Sequence, residues 1–204
     1  MYKRQQFDAF KVKDKEESRV AIFDYQPFVL RKLNPHFMKN IFVCYASKDR
    51  EHKALMLDYL VNPIREGKIN VWHDGELDTG DEWDEEIKKK LDTADIVIVL
   101  VSQQALNSHY INGVEMKRAL KRYEEGQLRL LPVLIRHSDI GDWKILPEEV
   151  KEGVKQKKVS MGKFQFFPKV PTDKGYELIP FNDMKESEQE KYWLAFKEEL
   201  MKFV

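Results

Sequence analysis

The chain has 204 residues, and its 35 Lys and Arg balance its 35 Asp and Glu. That length suits one well-buried α/β domain with extensions better than two ordinary domains, and a net charge of zero leaves no overall field to draw the chain to nucleic acid or an anionic membrane. The single cysteine, Cys44, excludes an internal disulfide and reads as a small buried hydrophobe. With no apolar stretch of the about 18 residues needed to span a bilayer and no signal-peptide core after the first residues, the expectation is a soluble protein of the reducing cytoplasm.

Residues 1–38 read as an N-terminal extension, charged from Lys11 to Arg19, apolar from Val20 to Leu33, and broken at Asn34-Pro35. Its apolar part suits packing on the domain or on a partner, and its charged part suits solvent. The domain is expected over 39–204. Ile41–Tyr45 reads as a short buried strand because β-branched and aromatic residues run unbroken. Ser47 or Asp49 caps the helix that follows, whose apolar residues Leu55, Leu57, Leu60, Val61 and Ile64 run toward Gly67, with Pro63 near its end.

Ile69–Trp72 forms the second strand. An acidic loop comes next, with Gly75 and Gly80 as pivots and Asp78 and Asp81 at its tip, and it suits a lid over a strand end. The second helix spans about Glu82 to Thr93 with a stripe of Trp83, Ile87, Leu91 and Ala94. Ile96–Val101 is apolar at every position, so this third strand needs helices on both faces of its sheet. A third helix is expected over about His109 to Glu125, a fourth strand over Gln127–Ile135, and a fifth at either Phe164–Phe167 or Leu178–Phe181. A last helix, Glu186–Val204, is striped by Trp193, Phe196 and Leu200.

Several functions of a repeated βα chain are excluded by missing residues. The third strand ends Val101-Ser102-Gln103, without the acceptor aspartate of a phosphorelay receiver. There is no Gly-x-Gly-x-x-Gly after a strand and no Gly-x-x-x-x-Gly-Lys-Ser/Thr. The five histidines share no metal-ligand spacing and no Cys-x-x-Cys exists, so no metal is expected.

Five segments, in order, carry a resemblance: Phe42 to Asp49 (Phe-Val-Cys-Tyr-Ala-Ser-Lys-Asp), Trp72-His73-Asp74, Gly80-Asp81-Glu82-Trp83, Leu91 to Ile96, and Leu100-Val101-Ser102. Together they resemble a TIR domain of the bacterial type over about 38–204. The resemblance implies a flavodoxin-like five-stranded parallel sheet ordered 2-1-3-4-5, with helices on both faces, and makes the acidic loop the family's BB loop. Many TIR domains of this kind cleave NAD at the nicotinamide-ribose bond with a glutamate on the third helix. Ser108 to Met116 fits the pattern Ser-x-Tyr-x-x-x-x-Glu-Met, and the matching residue is Glu115. Many relatives carry a cysteine beside an aromatic where this chain has Ile111-Asn112.

In a 2-1-3 order the ligand crevice lies beyond the carboxyl ends of the first and third strands. The resemblance thus nominates Tyr45, Ala46, Ser47 and Lys48 after the first strand and Ser102 after the third as ligand-binding residues. Trp72 and Asp74 at the end of the second strand, and Tyr110 near Glu115, join them. It implies NAD as substrate, with no resident cofactor, and ADP-ribose or a cyclic ADP-ribose isomer as product. It also implies self-association through TIR-TIR contacts. In layout the chain is similar to Thoeris-type antiphage proteins, where the product signals to a separate effector. The alternative is a non-catalytic module that acts by TIR-TIR assembly alone.

Overall fold

The structure, a computed structural model, describes residues 38–73, 83–145 and 158–204. The expected extension before Met38, Asp74 and the acidic lid with its glycine pivots lie outside the described residues.

Four strands form the central sheet: β1 (Lys39–Cys44), β2 (Ile69–Trp72), β3 (Ile96–Val101) and β4 (Arg129–Leu134), in the order β2-β1-β3-β4. All pairings are parallel, with Phe42 opposite both Trp72 and Val97. The expected fifth strand is reduced to one residue. Phe167 forms an isolated parallel bridge with Val133, donating to Pro132 O and accepting from the Leu134 amide. A proline at 168 follows immediately, and it has no N–H with which to extend a ladder. Residues 178–181 contribute no strand to this sheet. Leu178 instead ends a small antiparallel hairpin, in which Lys169–Thr172 pairs with Gly175–Leu178.

Side chains alternate across the sheet, so each strand feeds two cores. Ile41, Val43, Ile96, Ile98 and Leu100 face α1 (Arg50–Arg65) and the last helix, Glu186–Met201. Phe42, Cys44, Trp72, Val97, Val99 and Val101 face α2 (Trp83–Thr93), α3 (Gln103–Asn107) and α4 (Met116–Glu124). Every residue of β3 is buried, which is why its sequence is apolar throughout.

The stripe of α1 differs from the expected one. Met56, Leu60 and Pro63 are buried, whereas Leu55, Val61 and Ile64 are exposed. Pro63 lies in the last turn of the helix, which closes in a glycine cap that uses the terminal carbonyls. Gly67 takes φ 60° and donates to Ile64 O, and Lys68 donates to Pro63 O. The final helix, here α5, buries Trp193, Phe196 and Leu200 as its pattern requires, with Trp193 stacked on Phe181 at 4.0 Å.

Candidate functional site

At the carboxyl edge of the sheet, where open α/β folds place their ligands, lie the ends of β1, β2 and β3 and the helical segment after α3. That segment starts at Ser108, whose Oγ accepts the Ile111 amide as a helix cap. It then widens. Residues Ile111–Glu115 form a π-helical turn, closed by the Met116 amide donating to Ile111 O, before α4 resumes ordinary geometry. Such widened turns gather at functional sites because they re-aim side chains without breaking the helix.

Asn112 braces this turn, its amide donating to Leu106 O and Ser108 O at 2.7 Å each, while its Oδ1 accepts Trp143 Nε1 at 2.7 Å. The Ile111-Asn112 pair is therefore a structural clamp, with Ile111 in the core.

Glu115 closes the π-helical turn and is only 6% exposed. Cys44 Sγ, at the end of β1, donates to its Oε2 at 2.9 Å. Glu115 stands seven residues past the cap. A helix dipole acts within the first turn, so it contributes little at that position. Arg118, three residues on, forks its guanidinium onto Asp92 of α2. That cation holds the Asp92 carboxyl below its ordinary value.

On the same face of the sheet, Trp72 packs its ring 5.2 Å from Phe42 within the core that contains Cys44, and Lys90 sits over it. Ala46 packs against that core as well. Tyr110 lies half-buried beside it, its ring 4.2 Å from Trp83 and its hydroxyl donating to Asp84. Asp84 is held below its ordinary value by Lys88 first and by the Tyr110 hydroxyl second.

The other nominated residues that the structure describes have contacts of their own. Tyr45 faces the opposite core, edge-on to His73 and beneath the Lys53 ammonium. Ser47 and Lys48 are exposed in a short 3-10 turn, and Ser47 makes no cap. Ser102 is fully buried and its hydroxyl is committed inside the protein. It donates to Asp49 Oδ2 at 2.5 Å and accepts the Ala105 amide, capping α3.

Asp49 does not cap α1 either. Its carboxylate, fully buried, turns instead to Ser102 and to Arg136 Nε at 3.0 Å, just past the end of β4. This network ties the carboxyl ends of β1, β3 and β4 together. Its sequence signal was faint: an Asp after a strand reads as a cap, and Arg136 stands 87 residues away.

Among the described residues no group of three or more His, Cys, Asp and Glu is arranged to hold a metal ion. A separate cleft of about 410 Å³ lies at the opposite, amino edge of the sheet, lined by Lys39, Asp95, Tyr123, Arg129 and Phe203 among others. It holds none of the nominated residues. No described helix is long and apolar enough to cross a membrane.

Comparison with known proteins gives consistent matches. The TIR domain family matches residues 41–158. A curated protein of Sinorhizobium fredii, the uncharacterized protein y4lF, is 28% identical over 119 residues, covering 56% of this chain. The matched region spans only 37% of that relative's length. Two solved structures are similar at low identity. The TIR domains of the activated Roq1 resistosome, which directly recognizes the pathogen effector XopQ, match at 21% identity with a TM-score of 0.39, covering 47% of this chain and 56% of theirs. The TIR domain of the Toll-related receptor TRR-2 of Hydra magnipapillata matches at 22% identity with a TM-score of 0.34, covering 49% of this chain and 73% of its own.

Proposed function

The chain belongs to the TIR domain family, and from that premise we propose that it is an enzyme that cleaves NAD at the nicotinamide-ribose bond, with Glu115 as the catalytic carboxylate. One observation carries this reading. At the carboxyl edge of a parallel sheet, where open α/β folds bind ligands, Glu115 is a buried carboxylate braced by a donor from the neighbouring strand. Burying an ionisable group is costly, and a buried carboxylate at the crevice fits function better than a solvated surface pair.

The chemistry makes one demand on the protein. The nicotinamide ring of NAD is a cationic pyridinium that departs as neutral nicotinamide with the bonding electron pair, so no general acid is needed for the leaving group. What remains is an oxocarbenium-like ribose, and a carboxylate facing it stabilises that positive charge. Water then adds at the anomeric carbon and loses a proton to give ADP-ribose, or a nucleophile within the same molecule closes a cyclic isomer. How far the closed crevice excludes water sets that partition.

Trp72 and Tyr110 share Glu115's face of the sheet and suit the walls of the ligand site, and Ser47 and Lys48 at the turn after β1 suit its phosphates. The product serves as a signal to a separate effector, and self-association through TIR-TIR contacts completes the site. Incubating the purified protein with NAD, at dilute and at assembled concentrations, and resolving the nucleotides by chromatography tests this reading. Turnover that is lost in Glu115→Ala supports it, whereas NAD left intact by the assembled native protein refutes it.

A further inference from the structure

Cys44 invites the plainest interpretation, a small hydrophobe filling a slot in the core. It is 1% exposed, paired in register with Val99, and surrounded by apolar side chains. Valine would fill such a slot equally well, yet the residue present carries a donor, and that donor reaches a buried carboxylate, Glu115. A buried carboxylate is oriented by the hydrogen bonds it accepts. The bond at 2.9 Å comes from β1, a strand held on both sides in a parallel sheet, while Glu115 itself sits in a widened helical turn.

Resting on the reading that Glu115 faces the ribose, we infer that Cys44 is a positioning residue whose thiol locks the Glu115 carboxylate against the end of β1. The thiol reacts with nothing and touches no substrate. It restricts the rotamers of a flexible side chain, so that the carboxylate meets the developing positive charge without first reorganising. A small displacement of a catalytic group costs far more in rate than in substrate binding.

Three substitutions separate positioning from packing. Cys44→Val keeps an apolar side chain and loses the donor, Cys44→Ala loses both, and Cys44→Ser keeps a donor. Positioning predicts that the Val and Ala variants lose about tenfold in kcat with KM nearly unchanged, and that Ser restores kcat to within about threefold of native. Packing alone predicts the reverse order, with Val near native and Ser impaired by its unfavourable burial.

A second readout needs no turnover. Because the chain has one cysteine, its Raman spectrum holds one S–H stretching band. In the native protein that band sits at the lower frequency of a bonded thiol. It moves up in Glu115→Ala and by a smaller step in Glu115→Gln, which keeps a weaker acceptor. If NAD is cleaved but the band stays put and Cys44→Val turns over like native, the inference about Cys44 fails alone. If the assembled native protein leaves NAD intact, the catalytic reading fails and the positioning role falls with it.

Discussion

Ser102 donates its hydroxyl to Asp49 at 2.5 Å, and both residues are fully buried, one ending β3 and the other following β1. With Arg136 on the other carboxylate oxygen, the pair pins three strand ends around a charge that water cannot reach. Removing the cation therefore hurts more than removing the hydroxyl. Arg136→Ala should lower stability by about 3 kcal/mol, the low end for a broken buried pair because Arg136 itself is partly in water. Ser102→Ala, losing one bond to a charged acceptor and the α3 cap, should lower it by about 2 kcal/mol. Urea unfolding measures both. Losses under about half a kcal/mol would mean the network is incidental.

His52 lies against the same network and supplies a pH dependence. Burial first, and the Arg136 cation second, push its pKa below the ordinary 6.5, against smaller opposite pulls from Asp49 and Glu51. A histidine with a lowered folded pKa takes up its proton more readily in the unfolded chain. Its contribution is thus fully present above about 6.5 and is lost as pH falls from there toward the folded value. Native stability should fall as pH drops below about 6.5, and His52→Leu should flatten that fall. An unchanged slope in the variant would remove His52 as its source.

Tyr110 and Asp84 offer a test of local geometry beside the crevice. The Tyr110 hydroxyl is the second cause, after Lys88, of the lowered Asp84 pKa. Tyr110→Phe should move the Asp84 titration part of the way back up, and Lys88→Ala should move it further. NMR titration of the carboxyl carbons reads both shifts. Equal positions in native and Tyr110→Phe would mean the hydroxyl points elsewhere.

Gly126 ends α4 at φ +71°, where its amide donates to Tyr123 O and the Gln127 amide to Arg122 O. A Cβ there meets nothing within 4 Å, so Gly126→Ala isolates backbone strain and should cost about 1 kcal/mol. Gly113→Ala is the control, because a Cβ there also meets open space but the backbone is helical. Its stability should be unchanged or higher. Thermal unfolding of the two variants in one buffer makes the comparison, and equal losses would contradict it.

The sheet is legible in the sequence because β3 is apolar at all six positions and the strands between helices are short and β-branched. The last helix is legible for a related reason, since Trp193, Phe196 and Leu200 fall on one stripe and all three are buried. The stripe of α1 is harder to read. Leu55, Val61 and Ile64 are apolar yet exposed, and beside Leu60 the inward positions are filled by His52, Met56 and Pro63, which do not stand out as an apolar stripe. The fifth strand is obscured because Pro168 cuts its pairing to one bridge.

At the site, the pattern from Ser108 to Met116 singles out Glu115, but nothing local announces its partner. Cys44 is 71 residues away, and a cysteine in an apolar strand looks like filler until the fold closes. Asp49 is misleading in a different way: its position suggests a cap, whereas the tertiary structure turns its carboxylate inward to an arginine that follows β4.

The widened turn at Ile111–Glu115 has one more consequence. It slips a residue into the helix upstream of α4, so the angular phase of Ser108 and Tyr110 before it and that of Glu115 with the core residues Met116, Ala119 and Leu120 after it are set separately. Deleting Gly113 would close the turn to ordinary pitch and rotate everything on one side of it by roughly 100° about the axis. Either the carboxylate together with the apolar stripe, or the capped segment from Ser108 to Tyr110, would then point the wrong way. The aim of Glu115 is in this sense counted out by the backbone, and a one-residue deletion would reach it where many side-chain changes would not.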